Sequence, residues 1–176
     1  MMHNGQLADP LNEHAKVLKK LTAKQKKTDA DHREISRVEF FGGVYTDKGG
    51  RPVIAWSCLE ASIKAGAKRT KDGPRAKRSV YVLTSALLQY DGPPTVKELW
   101  EMPDRSFVDR RGVKNQQSRI MRTRAIFPKW AADVEVLFDD ENASKEDVDV
   151  WIIAAGRYEG VGDYRPQHGK FEVELL

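Results

Sequence analysis

The sequence predicts an α+β fold of the ferredoxin-like kind, a split βαβ sheet with helices on one face and a helical N-terminal extension. Three observations point there. From residue 50 onward the patterns run strand, helix, strand, insertion, strand, strand, helix, loop, strand, close to β-α-β-β-α-β. Helix-start signals recur, with Ser or Thr followed three residues later by an acid, at Ser57/Glu60, Thr95/Glu98 and Ser144/Asp147. Residues 1–42 carry helical spacing only. A chain of 176 residues suits one domain, burying roughly 70% of its unfolded surface. The expected division is a helical extension, 1–42, and a ferredoxin-like core, 43–176.

Each element has its own reason. Leu11, Ala15, Leu18 and Leu21 share a face, so 10–23 reads as an amphipathic helix opened by Pro10. Thr28 caps a second helix bearing Ile35 and Val38, closed by Gly42 and Gly43. Val44-Tyr45, a DKGG turn and Pro52-Val53-Ile54 read as a hairpin, with Pro52 at an edge. Ser57/Glu60 opens a helix with Leu59, Ile63 and Ala67. It runs into AKRTKDGPRAKR, a basic segment broken by Gly73 and Pro74 that reads as a loop over 68–78. SVYVLT, 79–84, is β-rich. Thr95/Glu98 opens a short helix. FVDRRGV and QSRIMRTRAIF read as strands joined near Lys114-Asn115, with VEVLF, 134–138, pairing with the second of them. Ser144/Asp147 opens a helix that Gly156 ends as a C-cap. A glycine-rich loop, 156–169, and a last strand, KFEVELL, follow.

Charge directs the functional reading. The net charge is only +4, but the cations are clustered. Residues 14–28 hold six lysines and no acid. Residues 64–78 hold seven cations against Asp72. Residues 105–124 hold seven against Asp109. Such asymmetry implies a polyanionic partner. Lys68, Arg69, Lys71, Arg75, Lys77 and Arg78 are expected to grip phosphates without reading sequence. Alternation along QSRIMRTRAIF puts Met121, Thr123, Ala125 and Phe127 on one side and Ile120, Arg122, Arg124 and Ile126 on the other. Arg122 and Arg124 would then project from the open sheet face, where a guanidinium holds phosphate or stacks on a base. The competing reading pairs them with acids such as Asp133 and Glu135.

In GRYEGVGDYRPQHGKF, Gly160, Gly162 and Gly169 would allow close backbone approach to a ligand, with Tyr164 and Arg165 beside it. The competing reading is a structural crossover with Tyr164 and Pro166 packed inward. The stretch follows a helix and precedes a strand, the wrong context for a dinucleotide fingerprint. His3, His14, His32 and His168 make no metal-ligand spacing, and Cys58 is the sole cysteine. No cofactor, metal or catalytic residue is expected, apart from His168 as a base under a nuclease alternative. MMHNGQLADP lacks the apolar run of a secretory signal, so a cytoplasmic setting is expected.

Two resemblances add to this. MHNGQLADPL, KKTDADHREISRVEFFGGVY, IMRTRAIFPKW and GVGDYRPQHGKFEV resemble a family of small proteins of tailed bacteriophages and prophages, over nearly the whole chain. That implies a phage setting in a bacterial cytoplasm and no function. RPVIAWSCLEASIKAGAK and GRYEGVGDYRPQHGKF are loosely similar to RAMP-superfamily RNA-binding subunits of CRISPR effector complexes, in which a glycine-rich loop before the final strand touches RNA backbone. The glycine spacing differs, and no catalytic residue carries over. The expected function is non-catalytic binding of single-stranded RNA or DNA. The alternatives are a phage module that engages a host protein complex, such as an inhibitor of CRISPR or another defence system, and a His168 nuclease. An exposed sheet edge would support a homo-oligomer.

Overall fold

Capping chemistry places most of the helices where the sequence predicts them. The computed structural model describes residues 1–115 and 118–176. In chain order the elements are α1 (Glu13–Thr22), α2 (Asp29–Gly43), β1 (Val53–Ile54), α3 (Trp56–Ala67), α4 (Gly73–Ser79), β2 (Val80–Tyr81), β3 (Ala86–Leu87), α5 (Val96–Glu101), β4 (Val108–Asn115), β5 (Ser118–Ala125), β6 (Leu137–Phe138) and α6 (Lys145–Ala154). The chain is α+β. It divides into two compact units, Met1–Pro52 with Gln89–Trp130, and Val53–Leu88 with Ala131–Leu176. That division differs from the expected extension and core, because the chain leaves one unit for the other after residues 52, 88 and 130.

Among the described residues the strands form three antiparallel pairs, β1 with β3, β2 with β6 and β4 with β5. These pairings build no four-stranded sheet, so the ferredoxin-like order read along the chain is not assembled by them. Two local causes are visible. Pro52 has no N–H to donate, so the expected hairpin keeps a single bridge, Thr46 to Pro52, and Val53-Ile54 pair with Leu87 and Ala86 instead. Leu137-Phe138 pair with Tyr81 and Val80, not with the strand that ends near Phe127. Residues 170–176 form no strand, although Phe171 N–H donates to Gly156 O at 3.2 Å.

In the first unit, α1 starts at Glu13 because Asn12 Oδ1 accepts from His14 N–H at 2.9 Å. Pro10 sits in the turn before it. Thr28 and Asp31 form a full capping box at α2. The Asp31 carboxylate also takes Lys24 Nζ at 2.5 Å. The Lys24 hydrogen bond first, and the Thr28 N–H next, pull its pKa from 3.8 down to about 2. The folded form is therefore favoured above about pH 3.8, and that contribution is lost as pH falls through about 2. A carboxyl titration by NMR should place the Asp31 midpoint near that value, and Lys24→Ala should raise it.

The chain's first residues seal the other end of α2. Asn4 N–H donates to Gly43 O at 2.8 Å, and Gln6 Nε2 to Gly42 O at 3.0 Å. These bonds satisfy terminal carbonyls that the helix cannot satisfy itself. Phe40 packs on Trp100 of α5 at 5.1 Å between ring centroids, and Tyr90, Phe107 and Phe127 form a second aromatic cluster. β4 and β5 make an eight-pair ladder from Val108/Ala125 to Asn115/Ser118. Gln117, the first residue of the expected second strand, lies outside the described residues.

In the second unit, α3 packs on α6 with Leu59, Ile63, Ala67, Val148, Trp151 and Ala154 buried. The Ser57/Glu60 box does not form. α3 begins at Trp56, not at Cys58 as that box requires, and has no side-chain cap. Glu60 instead takes Lys64 Nζ and the Val82 N–H, which joins the helix to the segment after β2. The Ser144/Asp147 box does form at α6.

Candidate nucleic-acid interface

The basic segment 68–78 is ordered helix, not a mobile loop. A 3-10 turn spans Lys68–Thr70 and α4 follows with Pro74 in its first turn, where a missing N–H costs nothing. Ala76 and Ser79 face the interior, while Pro74, Lys77 and Arg78 share the outer face. Arg75 points elsewhere. Its guanidinium bonds Asp72 at 3.1 Å, the Asn142 carbonyl at 2.9 Å and the Asp147 carboxylate, and lies 5.4 Å from the Trp151 ring centre. The Ser144 N–H and then Arg75 keep the Asp147 carboxyl below the usual range. Arg69 bonds Glu159 at 2.7 Å. Two of the six expected cations therefore hold their own unit together. Lys68, Lys71, Lys77 and Arg78 are exposed and meet no carboxylate among the described residues.

The glycine-rich stretch explains itself by the chain's own proximity. α6 runs past Gly156 into a π turn, Ala155–Glu159, and the direction changes at Gly160, φ +74°. Gly156 is thus not the cap; Gly160 is, because its positive φ costs nothing without a Cβ. A Cβ at Gly160 would lie 2.7 Å from the Gly169 carbonyl carbon, and one at Gly169 only 1.9 Å from Val161 O. Gly160 O accepts from buried Ser62 Oγ at 2.8 Å and from Arg165 Nη1 at 3.4 Å. What approaches these two glycines is protein. Gly162 also has a positive φ, +80°. Tyr164 and Pro166 are exposed and do not pack inward as a crossover would have them. His168 N–H donates to Tyr164 O at 3.1 Å.

The expected pair on β5 also divides. Thr123 and Ala125 are buried against α2, as alternation requires. Arg122, on the opposite side, reaches Glu39 of α2 at 2.5 Å rather than Asp133 or Glu135. Arg124 stands opposite Asp109 in the ladder and is half-buried. Arg122 and Arg124 lie in the first unit, and the 68–78 cations with the glycine loop lie in the second.

Sequence reasoning committed to neither Arg157 nor Tyr158. The Tyr158 ring is about half exposed, with the Arg69 guanidinium 5.5 Å and the Arg157 guanidinium 5.6 Å from its centre. The adjacency of Arg157 and Tyr158 was the available signal. Neither ordinary α-helical spacing nor the loop reading showed that the π turn carries both to Arg69. Among the described residues, no group of His, Cys, Asp and Glu is placed to hold a metal, and no helix is long and apolar enough to cross a membrane.

No protein-family model, curated protein or solved structure matches the chain.

Proposed function

We propose that this protein is a non-catalytic nucleic-acid-binding protein that takes a single strand along the basic end of its second unit. The observation that carries the reading is the set of exposed cations that meet no carboxylate among the described residues, Lys68, Lys71, Lys77, Arg78 and Arg157, beside the half-exposed Tyr158 ring. Lysines and arginines of this kind neutralise phosphates, and an exposed tyrosine supplies a face on which any base can stack. Arg69 steers that ring, and Arg75 fixes the helix that presents Lys77 and Arg78. The glycines shape the loop rather than touch the ligand. The resemblance to tailed-phage proteins supports a phage setting, and the looser RAMP-like resemblance supports RNA as one candidate strand.

Fluorescence polarisation with labelled single-stranded RNA and DNA tests this. Binding should weaken steeply with salt. Replacing Lys71 and Lys77 by Ala together should cost about tenfold in affinity and lower the logarithmic salt slope by about 1.4, roughly 0.7 for each lost contact. Absent binding at low ionic strength, or a slope that the double variant leaves unchanged, would refute the reading.

A further inference from the structure

We propose that the outer face of helix α6 docks a second copy of this chain, the two helices lying antiparallel about a two-fold axis. The proposal does not rest on the single-strand reading.

Helix α6 is apolar on two sides. Val148, Trp151 and Ala154 face the interior and are buried. On the opposite side Val150 is 49% exposed and Ile153 47%. A surface helix normally turns charged and polar residues outward. α1 does so, with Lys16, Lys19 and Lys20 on its exposed side. The second apolar face of α6 is therefore a face to be covered.

Charge names the occupant. Glu146, Val150, Ile153 and Arg157 follow at i, i+4, i+7 and i+11, so they form one stripe along the helix and the turn that extends it. All four are exposed, while Ala155 and Gly156 at the start of that turn are buried. The stripe is apolar in its middle, acidic at one end and basic at the other. Its flank adds no net charge, because Lys145 bonds Asp149 at 2.9 Å. A partner of one sign would be repelled at one end. A second copy turned end for end is repelled at neither.

The spacing fits such a copy. Positions 150 and 153, and positions 146 and 157, are centred on the same point of the helix, between Trp151 and Ile152. A two-fold axis through that point sets Val150 on Ile153 of the second copy and Glu146 on its Arg157, each contact made twice. Helix axes about 8–10 Å apart and crossing at about 20° keep both ends within reach of these long side chains. The N-terminal turn of one helix then lies beside the C-terminal turn of the other, where their dipoles attract. Four half-exposed side chains make a small apolar core, so the pair is weak, with a dissociation constant on the order of 10–100 µM. Arg157 is the one residue shared with the single-strand reading; Lys68, Lys71, Lys77 and Arg78 lie outside α6 and its extension.

Sedimentation velocity over a concentration series tests this. The wild type should pass from monomer to dimer across that range. Glu146→Arg alone and Arg157→Glu alone should each weaken association about tenfold, since every reversed contact occurs twice. An equimolar mixture of the two variants should associate like the wild type, because each supplies the sign the other lacks. So should the variant carrying both changes. Ile153→Asp should stay monomeric. All three positions are exposed, so every variant should keep the wild-type circular dichroism. The Lys71/Lys77 variant should associate like the wild type, so failure here leaves the single-strand reading standing. The proposal is overturned if the wild type stays monomeric at about tenfold above that range, if the single variants associate unchanged, or if neither the mixture nor the double variant recovers.

Discussion

Glu39→Ala should destabilise the protein by about 3 kcal/mol, read as a lower urea midpoint. Glu39 is 4% exposed and carries two duties. Oε1 takes Arg122 Nη1 at 2.5 Å, and Oε2 accepts the Thr123 N–H at 2.8 Å. Truncation removes the acceptor of a buried backbone donor, which costs roughly 1–3 kcal/mol. It also strips Arg122 of its carboxylate. Breaking a fully buried pair costs roughly 3–5 kcal/mol. The Arg122 side chain is 39% exposed, so water recovers part of that. Glu39→Gln keeps an acceptor for Thr123 and should cost about half as much. A cycle with Arg122→Ala isolates the ionic part. A loss below about 1 kcal/mol in Glu39→Ala would mean that helix α2 is not anchored to β5 through this carboxylate.

Gly66→Ala should cost about 2 kcal/mol net, against the intrinsic preference of a helix for alanine. That preference alone would stabilise by about 1 kcal/mol. The site reverses the sign. A Cβ at Gly66 would lie 2.3 Å from Trp151 O and 2.6 Å from Ala155 N, both backbone atoms of the facing segment. Backbone cannot turn aside as a long side chain can, so α3 and α6 must separate. Gly5, where an added Cβ meets nothing within 4 Å, is the control and should tolerate alanine. Equal midpoints for the two variants would show that α3 and α6 do not cross this closely.

Helix starts were legible because capping is local. Thr28, Thr95 and Ser144 each bond a backbone N–H three residues on, and nothing distant needs to agree. Ser57/Glu60 carries the same signature and fails, because Glu60 is drawn to Lys64 and to the Val82 N–H, 22 positions away in the chain. Strand pairing was less legible for the same reason. The β4–β5 ladder joins neighbours and was expected, whereas β2 with β6 pairs Tyr81 with Leu137 and Val80 with Phe138, far apart in the chain, and no periodicity encodes that choice.

The cation clusters could be counted from the sequence, but which cations are spent could not. Arg69, Arg75 and Arg122 look no different along the chain from Lys71, Lys77 and Arg119. Their carboxylates, Glu159, Asp147 and Glu39, lie 72 to 90 positions away. By itself the sequence determined the capped helices, the β4–β5 ribbon, the alternation that buries Thr123 and Ala125, and the local excess of positive charge, because each depends on residues a few positions apart. Tertiary structure alone decided the division into two units, the strand partners, and the difference between a cation that holds the fold and one left for a ligand, because each depends on what a distant segment brings within about 3 Å.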